Sequence, residues 1–77
     1  MEQARGLVVR AMAGKEKGGF YVVIRSDDHF AWIADGKRRK LEHPKKKNIR
    51  HIQATANTVC LENATDKMIR SVLKQYQ

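Results

Sequence analysis

The sequence predicts a mainly β domain: a small antiparallel barrel of about five strands, followed by a C-terminal α-helix. Two observations lead to this prediction. Short runs of β-branched and aromatic residues alternate with turn-forming residues over most of the chain, and the apolar period then changes to that of a helix. A chain of 77 residues holds one domain with a modest core. We therefore expect a single domain over residues 1–77, with the barrel over 5–62 and the helix over 64–76.

Six segments fit the strand pattern, and glycines, aspartates or a proline separate most of them. Their ranges are 6–12, 20–25, 29–34, 37–41, 48–55 and 58–61. The second segment, FYVVIR, carries the strongest signal because it is aromatic and β-branched almost throughout. The dipeptide Asp35-Gly36 suits a type I′ hairpin turn, since both central positions of that turn need positive φ. The chain is therefore expected to reverse there and to return as a strand through residues 37–41.

Beyond residue 64 the apolar residues repeat with helical spacing. They are Met68, Ile69, Val72, Leu73 and Tyr76. The residues that suit the N-cap are Asn63, Thr65 and Asp66. A helix this short is unstable alone in water, so its apolar stripe is expected to dock on the barrel. The alternative is that the stripe is exposed and binds another protein.

Charge is the strongest functional signal in the chain. Lys and Arg total 16 against 8 Asp and Glu, a net charge of +8, which points to a polyanionic partner. Half of the cations lie between residues 37 and 50, where Glu42 is the single acid. They are Lys37, Arg38, Arg39, Lys40, Lys45, Lys46, Lys47 and Arg50. This density favours contact with a phosphate backbone, and the alternative is a solvated edge strand protected by lysines.

Strand alternation would place Lys37 and Arg39 on one face, and Lys45, Lys46 and Lys47 are expected to form a mobile loop after Pro44. Reversing those three lysines to Glu is expected to weaken RNA binding and to leave the fold intact.

Two further features of the chain could contact nucleic acid. The loop of residues 13–19 contains three glycines, and Lys15 and Lys17 add charge beside Gly18. It is not a P-loop, because a strand and not a helix follows it. Tyr21 or Trp32 would stack on an unpaired base if exposed and would belong to the core if buried.

The remaining reactive residue types show no catalytic or metal-binding pattern. His29, His43, His51 and Cys60 lack metal-ligand spacing, and Cys60 is interpreted as a small buried hydrophobe. Asp27 and Asp28 are typical of a turn. We therefore expect no enzyme activity, no cofactor and no metal. No apolar run approaches the roughly 18–20 residues that span a bilayer. The lone cysteine and the N-terminal pattern favour a cytoplasmic protein, and a monomer is expected when it is free.

Residues 6–24 (GLVVRAMAGKEKGGFYVVI) resemble the KOW motif, in which a strand opens with glycine, a basic loop follows, and a glycine enters a second strand. Gly18 or Gly19 stands at the characteristic glycine position. Together with the segments IADGKRRK and PKKKN, the resemblance covers residues 5–53. Over that range the chain is similar to small bacterial KOW-domain proteins related to the "fourteen-e" family of large-subunit ribosomal proteins.

The resemblance implies an SH3-like barrel that binds structured RNA, in particular ribosomal RNA, without catalysis. It assigns RNA contacts to Lys15, Lys17 and Gly18 in the loop and to the basic segment 37–47, and charge alone adds Arg50. Two alternatives stay open. One is a protein-interaction adaptor in a translation or transcription complex, and the other is non-specific DNA binding.

Overall fold

The computed structural model describes residues 4–76. Its elements are β1 (Leu7–Ala11), β2 (Phe20–Ser26), β3 (Phe30–Ala34), β4 (Lys45–Asn48), a 3₁₀ turn (Ile49–His51), β5 (Ile52–Thr58), α1 (Asp66–Leu73) and a second 3₁₀ turn (Lys74–Tyr76). Five antiparallel strands form one sheet in the order β4-β3-β2-β1-β5. This is the arrangement of a small SH3-like barrel, and the predicted fold class is confirmed.

The sheet curls around one apolar cluster. β1, β2 and β3 contribute inward-facing residues to it, and Ile52 of β5 packs against it from the far edge. Its buried members are Ala4, Val9, Ala11, Tyr21, Val23, Ala31 and Ile33. The register shifts between Leu7 and Val9 and between Val23 and Arg25. Bulges of this kind bend a strand and increase its twist, which lets a short sheet wrap around its core.

The opposite face of β1 and β2 is covered by the C-terminal helix. Val8 and Val22 form a second cluster with Ile69 and Leu73, which are 0 % and 1 % exposed. The side chain of Thr65 caps the helix by accepting a hydrogen bond from the backbone N–H of Met68. The central strands are thus buried on both faces, and the helix closes the outer one.

The predicted hairpin at Asp35-Gly36 and the predicted strand over residues 37–41 are wrong. The side chain of Asp35 accepts from the backbone N–H groups of Lys37 and Arg39, at 2.9 and 3.0 Å. The carbonyl of Arg39 accepts in turn from Asp35 and Gly36. These bonds use groups that a strand would present to its neighbour, so the chain forms a compact turn.

Gly36 has a second reason to be glycine besides its φ of +74°. A Cβ at this position would lie 2.3 Å from the backbone oxygen of Asp66, at the start of α1. Arg70 of the helix donates to the carbonyl of Gly36 at 2.6 Å, and Asp66 accepts from the backbone of Leu41. Hydrogen bonds therefore hold the 35–41 turn against the helix.

Other predicted boundaries also differ from the structure. Residues 45–47 begin β4 and pair with β3, so they are not a mobile loop. The predicted strand over 48–55 is split, because Ile49–His51 form a 3₁₀ turn before β5 runs to Thr58. Residues 59–61 lie outside the strands, and Cys60 is exposed, not buried as expected. α1 ends at Leu73, and Tyr76 follows in the second 3₁₀ turn.

Candidate nucleic-acid interface

A buried ion-pair cluster centred on Glu16 organises one end of the barrel. Lys47 Nζ lies 3.0 Å from Glu16 Oε1 and donates a second hydrogen bond to the carbonyl of Ala13 at 2.7 Å. Arg39 Nη2 binds the other carboxylate oxygen of Glu16 at 3.2 Å. One carboxylate therefore joins the loop between β1 and β2, the 35–44 segment and strand β4.

The β1–β2 loop reaches this position through its own backbone bonds. The N–H of Gly18 donates to the carbonyl of Ala11 at 2.8 Å, and the N–H of Ala11 donates to that of Gly19 at 2.9 Å. Gly18 has a φ of +90°, with no atom within 4 Å of the place where its Cβ would be. The turn thus requires glycine for its backbone conformation and not for lack of space.

The charges around Glu16 shift its titration and that of its neighbour. Hydrogen bonding from Lys47 holds the pKa of the Glu16 carboxyl below its ordinary value, with Arg39 acting in the same direction against the effect of burial. Burial raises the pKa of the Tyr21 phenol, and the carboxylates of Asp35 and Glu16 add to that increase. Glu16 is therefore ionised at neutral pH and pairs with two cations within the fold, which leaves one net positive charge in the cluster.

The remaining cations around this cluster face solvent or lie at the surface. Lys15 and Lys17 flank Glu16 in its loop, and the charge of Lys45 acts on the Glu16 carboxylate. The charge of Arg38 acts on Tyr21, whose ring lies beside the same loop. We call this surface the basic end. Its members are Lys15, Lys17, Lys37, Arg38, Lys40 and Lys45, of which all but the half-buried Lys45 are exposed.

The structure does not bring every predicted contact residue to the basic end. Lys47 is 8 % exposed and is occupied by Glu16, and Arg39 is half-buried against the same carboxylate. Lys46 lies on the outer face of β4. Arg50 follows Asn48, which pairs with Phe30 at the start of β3, so it lies toward the opposite end of the sheet. Because Lys47 is buried in an ion pair, reversing its charge would damage the fold, contrary to the prediction for the 45–47 lysines.

Sequence reasoning missed a second set of cations, on the helix. A groove of about 440 Å³ runs between α1 and the 35–37 turn, and Lys37 lies on its wall. Lys67, Arg70 and Lys74 line the opposite wall. Their i, i+3 and i+7 spacing places them on one side of the helix, and that spacing was the available signal. The groove thus continues the basic end along the helix.

The aromatic residues divide between core and surface. Tyr21 is 9 % exposed and belongs to the inner cluster, so it is not a surface stacking residue. Trp32 is half-buried on the outer face of β3, and the guanidinium carbon of Arg25 lies 4.6 Å from its ring centroid. The position of Arg25 beside Trp32 was not predicted from the sequence. The bulge between Val23 and Arg25 shifts the register of β2 and so pairs Arg25 with Trp32.

Within residues 4–76, no three His, Cys, Asp or Glu residues are grouped so as to hold a metal ion. None of the helices in that range has the length and apolarity to cross a bilayer.

Neither known protein-family models nor characterised proteins give a match to this chain.

Proposed function

We propose that this protein is a non-catalytic module that binds structured RNA through its basic end, in translation or on the ribosome. One observation carries the proposal. Glu16 binds Lys47 and Arg39 internally and so draws three segments together, while the neighbouring cations remain available to a partner. Those cations come from separate parts of the chain, as expected of a surface that follows a phosphate backbone by shape.

The balance of local charge supports a polyanionic partner. Within residues 4–76 the ion pairs between side chains are Glu16–Lys47 and Glu16–Arg39. Asp35 accepts backbone N–H groups in its turn, so it already serves a structural role beside Lys37 and Arg38. Six cations in contact with phosphates would make log K fall by roughly 4–5 for each unit of log salt. Such a slope is a quantitative signature of the proposed surface.

The resemblance to KOW barrels of ribosomal proteins selects RNA among the polyanions. The glycine-bearing loop and the basic segment 37–47 carry that resemblance, and the loop and residues 37–45 of this segment meet at the basic end. An adaptor could bind its partner through an exposed apolar helix face or through the basic segment, and the first route is disfavoured because Ile69 and Leu73 are buried against Val8 and Val22. RNA binding is therefore the function that the geometry supports best.

Crosslinking in cells tests this proposal most directly. A tagged chain is crosslinked by ultraviolet light, purified under denaturing conditions, and the attached RNA is sequenced. The variant for comparison carries Arg38→Glu and Lys40→Glu, two exposed side chains at the basic end. We expect the wild type to enrich discrete segments of ribosomal RNA. The amount of these segments recovered with the variant should be at least tenfold lower.

The matched control carries Arg5→Glu and Arg10→Glu, which change the net charge equally at exposed positions outside the basic end. Equal losses in both variants would mean that binding follows net charge, and they would contradict the assigned surface. Recovery of duplex DNA in preference to RNA would favour the DNA alternative. Recovery of an acidic protein without RNA would favour the adaptor.

A further inference from the structure

A row of alternating cations and aromatic rings crosses the outer face of β2, β3 and β4. Arg25 pairs with Trp32, and Trp32 pairs with Lys46, so these three side chains project from the same face. Phe30 lies two residues before Trp32 and shares that face. Lys46 Nζ is 4.2 Å from the Phe30 centroid and 5.8 Å from that of Trp32, and Arg25 is 4.6 Å from Trp32.

The two rings are not explained by the core. Phe30 and Trp32 are only half-buried, and neither belongs to the apolar clusters of the described chain. The core side of β3 is formed instead by Ala31 and Ile33, both 0 % exposed. A strand needs no aromatic pair on its solvent face for packing, and the cations that cover the rings are themselves exposed. The row is therefore a surface feature with aromatic faces and positive charge together.

We propose that Trp32 and Phe30 are a stacking site for unpaired nucleobases of the bound RNA, an inference that rests on the proposed function. In this arrangement Arg25 and Lys46 move from the ring faces to the phosphates on either side of the stacked base. Exposed, flexible cations can make this exchange without a change in the backbone. The basic end holds structured RNA by its phosphates, and the row receives a single-stranded part of the same molecule.

Relative magnitudes favour the exchange. An exposed cation–π contact contributes a factor of about 2–5 in an equilibrium constant. Stacking of a base on an aromatic side chain contributes a factor of about 5–150. The displaced cations also gain contact with phosphates, which they lack in the free protein. Replacing the cation by a base therefore strengthens binding at the ring.

The spacing of the rings restricts the kind of RNA that fits. Residues two apart on a strand are separated by about 6.8 Å, twice the roughly 3.4 Å repeat of stacked bases. Each ring would therefore take its own base, and the bases must be unstacked from each other. Lys45 and Lys46 are consecutive on β4 and project from opposite faces, so this strand lies between the basic end and the row.

The test uses the fluorescence of Trp32, the single tryptophan of the chain. The 77-residue protein is titrated with a decamer of uridine and, separately, with an abasic sugar–phosphate decamer of equal charge. We expect the uridine decamer to quench Trp32 and to bind at least fivefold more tightly than the abasic one. Equal affinities, without selective quenching, would overturn the stacking site.

Variants complete the test through the anisotropy of labelled decamers, which does not depend on tryptophan. Phe30→Leu and Trp32→Leu should each weaken uridine binding by about fivefold or more and leave abasic binding unchanged. Trp32→Phe should restore most of the loss because it keeps an aromatic face. Circular dichroism checks that each variant is folded.

The outcomes for the two proposals can be told apart. If both decamers bind equally and Arg38→Glu with Lys40→Glu weakens both, the phosphate surface stands and the stacking site fails. If neither decamer nor a structured ribosomal RNA fragment binds, the proposed function fails and the stacking site fails with it.

Discussion

Glu16 and Lys47, 31 residues apart in the chain, form an ion pair in which both side chains are more than nine-tenths buried. Their 3.0 Å contact joins the glycine-bearing loop to strand β4, and Arg39 extends it to the 35–44 segment. An ion pair removed from solvent stabilises a structure only while both partners are present, because either charge alone is costly to bury. The pair therefore connects the segments from which the surface cations of this end project.

Glu16→Gln is expected to lower the free energy of unfolding by about 1–3 kcal/mol, because it leaves the Lys47 ammonium with weaker partners. Urea unfolding followed by Trp32 fluorescence measures the change. Glu42→Gln, at an exposed position, is the matched control and should alter stability by less than about 0.5 kcal/mol. A double-mutant cycle with Lys47→Met should show a favourable coupling between residues 16 and 47. Additive effects in that cycle would contradict the interaction.

Acid should weaken the fold through the same carboxylate. The folded pKa of Glu16 lies below the ordinary value of 4.5, so the unfolded chain binds more protons than the folded one as pH falls below that value. The Glu16–Lys47 pair contributes its full stabilisation above about pH 4.5, and this stabilisation is lost as pH falls through the folded pKa of Glu16. Asp27, whose pKa is lowered by backbone hydrogen bonds from His29 and Phe30, acts in the same direction.

Unfolding free energies measured between roughly pH 5 and pH 3 should therefore decline in the wild type and decline less steeply in Glu16→Gln. Asp27 keeps part of the slope in that variant. Parallel profiles for the two proteins would show that the Glu16 pKa is the same in the folded and unfolded states.

The fold was predictable wherever local pattern decides the structure. In β2, Tyr21 and Val23 face inward and Val22 faces outward, as period-two alternation requires, and the helical stripe predicted from the sequence contains the buried Ile69 and Leu73. These patterns depend on near neighbours in the chain, and burial then selects one face of each element.

Long-range contacts explain what sequence reasoning got wrong. In the sequence, Lys47 cannot be distinguished from the surface lysines beside it. Its buried position follows from the loop that carries Glu16, which comes beside it only in the folded structure. Similarly, Asp35-Gly36 has the composition of a tight hairpin turn. The chain instead forms a longer turn, because Gly36 packs against the backbone of Asp66 and Arg70 binds its carbonyl. Neither partner can be identified from the local sequence.

Ile69→Ala should destabilise the protein by about 2–5 kcal/mol, because Ile69 is 0 % exposed between Val8 and Val22 and its loss leaves a cavity. In a domain this small, that cost is a large share of the total stability. Thermal unfolding followed by circular dichroism measures it. Met68→Ala, next to it but 46 % exposed, should change stability by less than about 0.5 kcal/mol. Equal effects of the two substitutions would contradict the packing of this helix face on the sheet.

If the basic end binds RNA as proposed, the groove between α1 and the 35–37 turn should extend that contact. Lys67→Glu with Lys74→Glu removes two of its cations and leaves Arg70, which binds the Gly36 carbonyl, in place. Because each lost phosphate contact lowers the salt slope by about 0.7–0.9, the double variant should bind structured ribosomal RNA with a slope shallower by about 1.4–1.8. Dissociation constants at several potassium chloride concentrations give this slope directly. The Arg5→Glu and Arg10→Glu control should keep the wild-type slope. If the groove variant keeps that slope as well, the helix stabilises the barrel without touching RNA, and the contact ends at Lys37.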